Sequence, residues 1–254
     1  MEQGNFTKLA KDYINRPGYS HIVLSNLAAY VGANTNSHIK DVGAGTGKLT
    51  ENLLELGFTN ITAVEPNDAM REEGSHLFES LGVIWQKGSA EETGLKTNSA
   101  DWLLMGSSFH WTNPKKSLPE FKRVLKPGRF ITLLWNPRDL EKNSLQREID
   151  NMIQQMVPSL KRVSSGSEKY TKNIAETLVS TGDFKDVIFV EANHQVKMSK
   201  ERYIGAWRSV NDIQAQSSPD VFKNIILTIE DMVKNLSEVI VSYKTRSWTA
   251  EVIS

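Results

Sequence analysis

The 254 residues are 39% apolar and 24% charged, which fits one large α/β domain or one domain with a modest insertion. Thirty Lys and Arg balance thirty Asp and Glu, so the basic excess usual in a duplex nucleic-acid binder is missing and no nucleic-acid partner is expected. There is no cysteine, which excludes disulfides, thiolate nucleophiles and Cys-ligated zinc, and the five histidines include no i, i+4 pair, so no metal site is expected.

The opening residues lack a basic region followed by an apolar run. No apolar run approaches the roughly 20 residues of a membrane span. A cytoplasmic protein without a membrane partner is expected, as a monomer or homodimer.

Residues 5–31 read as helical. Phe6, Leu9, Ala10 and Tyr13 have helical spacing, Arg16-Pro17-Gly18 breaks it, and a second helix follows over 22–31. The pattern then alternates. Strands are expected at 39–42, 60–65, 83–86, 101–105 and 130–135. Helices are expected at 49–56, 68–81 (with Asp68 as N-cap) and 114–125. Single helices between strands imply a parallel sheet with helices on both faces. About 45 residues separate Asn136-Pro137 from the next strand, at 186–191. They hold an amphipathic helix at 145–156 and a polar stretch at 164–168. That is longer than a usual connection and reads as an insertion beside the site. Helices at 200–210 and 219–236 and a strand at 239–252 complete the chain. Four regions result: N-terminal helices (1–36), a strand–helix core (37–136), a helical cap insertion (137–183) and a C-terminal part of the sheet with helices (184–254).

Ligands of open parallel sheets bind at the carboxyl ends of the strands. There, after the first strand, lies Asp41-Val-Gly-Ala-Gly-Thr-Gly47. Gly43 and Gly45 permit a tight turn and close approach of backbone to ligand. Eighteen residues after Gly47, the second strand ends in Glu65, a carboxylate placed to accept both ribose hydroxyls of a nucleoside. The spacing is G-x-G-x-G, not the dinucleotide G-x-G-x-x-G, and the Walker lysine pattern is missing. An acid leading the loop disfavours phosphate but suits an ammonium group.

These segments resemble the class I S-adenosylmethionine (SAM)-dependent methyltransferases, in the group that includes UbiE-like and trans-aconitate-methyltransferase-like enzymes. The resemblance covers residues 6–137. It rests on the 41–47 loop, on Ala63-Val-Glu-Pro-Asn-Asp-Ala-Met70, on Gly88-Ser-Ala-Glu91, and on Leu118-Pro-Glu-Phe-Lys-Arg-Val-Leu-Lys-Pro-Gly-Arg-Phe130. Residues 138–254 follow the family only in outline. The resemblance implies a Rossmann-like, doubly wound, seven-stranded, mostly parallel sheet. It also implies SAM as cofactor and S-adenosylhomocysteine (SAH) as product. Asp41, Gly43, Ala44 and Gly45 would hold the methionyl part. Glu65 would bind ribose, with Pro66 beside it. Met70, Ala90 and Glu91 would border adenine, and Gly106 and Ser107 the sulfonium. The run from Phe6 to Tyr19 is similar to the family's lid helix, with Tyr13 closing the pocket and Arg16 facing the methionyl carboxylate.

After the fourth strand comes Ser108-Phe-His-Trp111. His110 is a candidate general base or a structural histidine supporting the pocket floor. Trp111, Trp135 and Arg138 are candidates for lining the acceptor pocket, against a plainer reading as core and surface. The sequence Gly106-Ser-Ser-Phe109 differs from the Asn/Asp-Pro-Pro-Tyr/Phe pattern of many amino-group methyltransferases. A small-molecule acceptor methylated at oxygen, a carboxylate or hydroxyl, is therefore expected, by in-line attack on the methyl carbon. A macromolecular acceptor and a non-catalytic SAM-binding protein are the alternatives.

Overall fold

The computed structural model describes residues 6–162, 166 and 168–253. The polar stretch expected at 164–168 lies mostly outside them. In chain order the elements are α1 (Phe6–Tyr13), α2 (His21–Tyr30), β1 (Ile39–Val42), α3 (Lys48–Glu55), β2 (Ile61–Val64), α4 (Asp68–Phe78), β3 (Ile84–Gln86), β4 (Ala100–Gly106), α5 (Pro114–Val124) and β5 (Leu125–Trp135). Then follow α6 (Ser144–Met156), α7 (Glu168–Thr171), α8 (Ile174–Val179), β6 (Phe184–Met198), α9 (Lys200–Arg208), α10 (Asn211–Gln216), α11 (Pro219–Val233) and β7 (Val239–Val252).

The strands form one seven-stranded sheet in the order β3-β2-β1-β4-β5-β7-β6. β1 to β5 run parallel, whereas β7 is antiparallel to both neighbours. The chain moves outward from β1 to β3 and returns to the other side of β1 as β4. This reversal opens a crevice at the carboxyl ends of β1 and β4, where a ligand fits. All four residues of β1 and of β2 are buried, as expected for central strands covered on both faces.

Helices cover both faces. On one, Val23, Leu24 and Leu27 of α2 and Leu49 and Leu53 of α3 pack on Ile39, Ile61 and Leu104. On the other, Leu118 and Phe121 of α5 and Leu178 of α8 pack on Leu103, Ile131 and Leu133. A third core lies beyond the sheet. It joins Ile149 and Ile153 of α6, Trp207 of α9, Ile213 of α10, and Ile225 and Ile229 of α11 to Val239, Val241 and Tyr243.

The long β6–β7 hairpin explains that third core. β5 pairs with β7 only from Phe130–Glu251 to Trp135–Arg246, while β6 pairs with β7 to its beginning at Val239. Residues 239–245 therefore overhang the carboxyl edge by roughly 20 Å, at about 3.3 Å per residue. Helices α6 and α9 to α11, together the cap, are carried on this overhang, whereas the sequence places the cap insertion at 137–183 alone.

β6 is longer than the 186–191 expected from the sequence. Polar residues such as Asn193 and Gln195 mask a period-2 pattern in which Val190, Ala192 and Val196 point inward. A second correction concerns α4. Its N-cap is Asn67, whose side chain accepts from the Met70 N–H, and not Asp68. Asn67 has the extended backbone a cap needs, and Asp68 is the first helical residue, paired with Arg71 and Lys87.

Candidate functional site

The glycine loop closes directly on β2. The N–H groups of Gly43 and Ala44 donate to the Val64 carbonyl at 2.8 and 3.1 Å. Gly43 has φ +69°, and a Cβ added there would lie 2.7 Å from Ser108 Oγ, so both backbone and space demand glycine. The Gly45 N–H donates to Glu65 Oε2 at 2.8 Å, and the Asn67 N–H donates to Oε1 at 2.9 Å. Glu65 thus ties the loop to the end of β2. Burial raises its pKa; the N–H groups of Asn67 and Gly45 and the charge of Arg71 oppose that. A carboxylate offers about four acceptor positions, so two bonds leave room for hydroxyl donors.

Asp41 lies beneath the loop, 1% exposed. Its Oδ2 accepts from the Thr50 hydroxyl at 2.7 Å, one turn into α3. Its Oδ1 is buried with no hydrogen-bond partner among the described residues. Burial pushes the pKa up to about 7; the Thr50 bond opposes this and the Glu65 charge adds to it. A buried carboxylate oxygen without a donor is costly, and a cationic N–H donor relieves that cost.

β4 supplies the opposite wall. Ser107 has φ +53°, a left-handed conformation uncommon outside glycine, and its N–H donates to the Leu134 carbonyl at 2.7 Å. The buried Tyr19 hydroxyl donates to Ser107 Oγ at 3.1 Å, and burial raises the Tyr19 pKa further above its ordinary value. The same hydroxyl fills the space that a side chain on Gly106 would need, 2.6 Å from the position of a Cβ.

His110 sits on a 3-10 turn, Phe109–Trp111. The Trp135 indole N–H donates to His110 Nδ1 at 3.3 Å, and the Trp111 ring lies 4.6 Å from the imidazole. Burial lowers the His110 pKa to about 4. The ring is neutral at neutral pH. With Nδ1 accepting, its proton is at Nε2, which makes that nitrogen a donor.

α1 lies over the loop. A Cβ on Gly45 would come within 3.8 Å of the Tyr13 ring. Phe6 packs edge-on against both Tyr13 and Trp111. The Asn67 amide donates to the Thr7 hydroxyl at 3.0 Å, fastening α1 on the Glu65 side. At the other end, the Arg16 guanidinium stacks on Tyr13 and donates to the Ser209 hydroxyl and carbonyl at 2.6 and 2.7 Å. α1 therefore bridges α4 and the cap helix α9.

Of the residues singled out from the sequence, Tyr13, Asp41, Gly43, Ala44, Gly45 and Glu65 converge around the loop. Gly106 and Ser107 face Tyr19. Met70 and Ala90 are buried, and Pro66 is exposed. One Glu91 oxygen accepts from the Asn113 N–H at 2.7 Å, at the start of α5. Trp135 is buried beside Trp248. Arg138 lies farther out, its guanidinium 4.2 Å from the Trp207 ring centre in the cap. Sequence reasoning assigned no role to Tyr19, Thr50 or Ser209. Thr50 carried a readable signal, a hydroxyl on the first turn after the loop. Ser209 carried none, being 193 residues from Arg16.

Among the described residues there is no group of three or more His, Asp or Glu side chains that could hold a metal ion. None of their helices is long and apolar enough to cross a membrane.

Residues 40–133 match the model of a methyltransferase domain. An uncharacterized methyltransferase of Mycobacterium tuberculosis is 39% identical over 116 residues, spanning 45% of this chain and 46% of that protein. The match thus spans about half the length of that relative. An uncharacterized methyltransferase of Schizosaccharomyces pombe is 25% identical over 97% of this chain and 96% of its own. Among solved structures, one from Anaeromyxobacter dehalogenans, provisionally assigned as a type II methyltransferase, superposes with a TM-score of 0.61. It has 16% identity and covers 94% of this chain and 98% of its own. A Haemonchus contortus phosphoethanolamine N-methyltransferase in complex with S-adenosyl-L-methionine gives 0.55, with 15% identity over 98% of this chain and 58% of its own. With the loop, the Glu65 clasp and the strand order, these matches show a methyltransferase domain over residues 40–133 and, for the chain as a whole, the fold of solved methyltransferases.

Proposed function

We propose that this protein binds SAM and transfers its methyl group to a small molecule, at a carboxylate or hydroxyl oxygen. The observation that carries the reading is the unpartnered, buried Asp41 Oδ1 beneath the glycine loop. The methionyl ammonium is the kind of donor that oxygen lacks. Glu65, with acceptor positions to spare, suits the ribose hydroxyls, and Met70, Ala90 and Glu91 are proposed for the adenine side. SAM supplies a methyl group already activated by its positive sulfur.

The chain's own residues have the remaining tasks of holding, orienting and drying the site. α1 covers the loop through Tyr13 and is tied to the cap by Arg16, which excludes water from the reacting groups. Ser107, held by Leu134 and Tyr19, shapes the wall at the end of β4. His110, neutral with its Nδ1 occupied, serves as an Nε2–H donor toward the acceptor rather than as a strong base. An acceptor oxygen that is already ionised needs no base, so alignment supplies the acceleration.

Isothermal titration with SAM and SAH tests the first half of the proposal. Micromolar binding of either is expected, and binding of neither refutes it. SAH release in the presence of organic acids, alcohols and phenols tests the second half. Turnover confined to amines or to RNA would refute oxygen on a small molecule.

A further inference from the structure

Behind the lid, two guanidinium groups from distant parts of the chain lie against one indole ring, and a third is fixed nearby. Arg138 follows β5 and lies over the Trp207 ring, 4.2 Å from its centre. Arg162 follows α6 and lies 5.9 Å from the same centre. Arg16 is fixed at the neighbouring Ser209, one turn-residue beyond α9. Arg162 is mostly buried, and its pKa is lowered first by that burial. The nearby positive charges of Arg138 and Arg16 lower it further, while Asp212 and Asp150 oppose.

Two acids lie beside the three guanidinium groups. Asp150 and Asp212 lie 3.5 and 3.3 Å from Arg162. Arg138 Nε is buried with no hydrogen-bond partner among the described residues. A buried N–H without an acceptor is costly, and this one lies on the same ring as the like charge of Arg162. Stacking on Trp207 uses the face of the guanidinium and does not consume its fork of N–H donors.

The cluster also adjoins the donor loop. Arg16 stacks on Tyr13, and Tyr13 lies against Gly45. An anion held by these arginines would therefore sit on the cap side of the lid, opposite Asp41 and Glu65.

We propose that Arg138 and Arg162, on the Trp207 face and flanked by Arg16, hold an oxyanion of the methyl acceptor, so that the acceptor is an organic acid bound through a carboxylate. This rests on the SAM-dependent reading above. A phosphate ester presents similar oxygens, so the test separates the two sources.

The probes are succinate, citrate and benzoate, their amides, and glycerol 3-phosphate, each titrated by calorimetry into the SAH-saturated protein. At least one carboxylate is expected to bind tenfold or more tightly than its amide and than the phosphate ester. Arg138→Gln should weaken that binding at least tenfold with SAH affinity unchanged. Arg138→Lys, which keeps the charge but loses the fork, should give an intermediate loss, and it carries the test if Arg138→Gln does not fold. The proposal is overturned if acids bind no better than amides, if the phosphate ester binds best, or if neither variant changes carboxylate affinity. SAH binding without carboxylate binding sinks only this inference, whereas loss of SAH binding in the unaltered protein sinks the reading beneath it.

Discussion

Asp41 should make the empty protein less stable in order to make the loaded one possible. Its carboxyl is moved by burial from the ordinary 3.8 to about 7. At 1.36 kcal/mol per pKa unit, this corresponds to about 4 kcal/mol of destabilisation when the group is ionised. The sign follows from linkage. The folded protein holds this proton more tightly than the unfolded chain. The group therefore costs nothing below pH ~4, its cost grows as pH rises, and the cost is complete above about pH 7. Asp41→Asn removes the charge and keeps the acceptor for Thr50. It places an amide where Oδ1 has no partner, at a cost of about 1–3 kcal/mol. The net expectation at pH 8 is a variant more stable by ~1–3 kcal/mol, or about 2–10 °C in Tm for a chain of this size.

Thermal melts of the variant and the parent protein, without ligand, at pH 5 and pH 8 would measure this. The difference between the two proteins is the useful quantity. His110 is buried neutral, its pKa lowered from 6.5 to about 4, so it destabilises at acid pH and offsets the Asp41 trend in either protein alone. The variant's advantage should shrink or reverse at pH 5. Its SAM affinity should fall by ~10- to 100-fold, from the loss of a charge-assisted bond worth about 1.5–3 kcal/mol. A variant less stable at pH 8 that binds SAM as tightly as the parent would refute the reasoning at both steps.

Three further outcomes follow from the same geometry. Trp135→Phe removes the donor that occupies His110 Nδ1, so the His110 pKa should rise; 15N chemical shifts of the imidazole would show it, and an unchanged titration would break the assigned tautomer. Gly106→Ala puts a methyl 2.6 Å from the Tyr19 hydroxyl and should cost about 1–3 kcal/mol by denaturant unfolding; a neutral effect would mean that Tyr19 is not seated against β4 as described. Arg16→Ala frees α1 from Ser209, and amide exchange over residues 6–16 should accelerate while that of β1 and β4 does not; exchange unchanged in α1 would deny the tether.

The donor half of the site is legible in the sequence because it is local. Asp41, Gly43, Gly45 and Glu65 lie within 25 positions, on two adjacent strands whose register is set by continuous burial. A short loop and one acid fix their own geometry. The cap is different. α6 lies before β6, and α9 to α11 lie between β6 and β7, yet they share one core on the hairpin overhang. No periodicity within 137–183 reveals that its apolar face meets residues 50 to 80 positions later. Arg138 reads as a surface arginine as readily as a site residue, and nothing in the sequence ties it to Trp207. The stacking that joins them is a tertiary fact, set by how far β7 runs past β5. The extent of β6 was hidden for a related reason. An edge strand with one half-exposed face carries polar residues at positions where a central strand would not.

The charge layout bears on why the two halves face each other. Acids lie beneath the donor loop, and arginines gather on the cap side of Tyr13. A positively charged donor and a carboxylate acceptor would each be matched by protein charge of opposite sign. Joining the carboxylate oxygen to the methyl carbon, with the carbon–sulfur bond electrons returning to sulfur, consumes both ligand charges. An ester and a neutral thioether result, and no proton need move. Charge is thus being lost as the transition state forms, and a dry, low-dielectric site favours such a step more than water does. The same neutralisation would leave the arginines without their anion, while the ammonium proposed for Asp41 is untouched by the reaction. The methylated acceptor would then be held less tightly than the acid it came from, which favours its release.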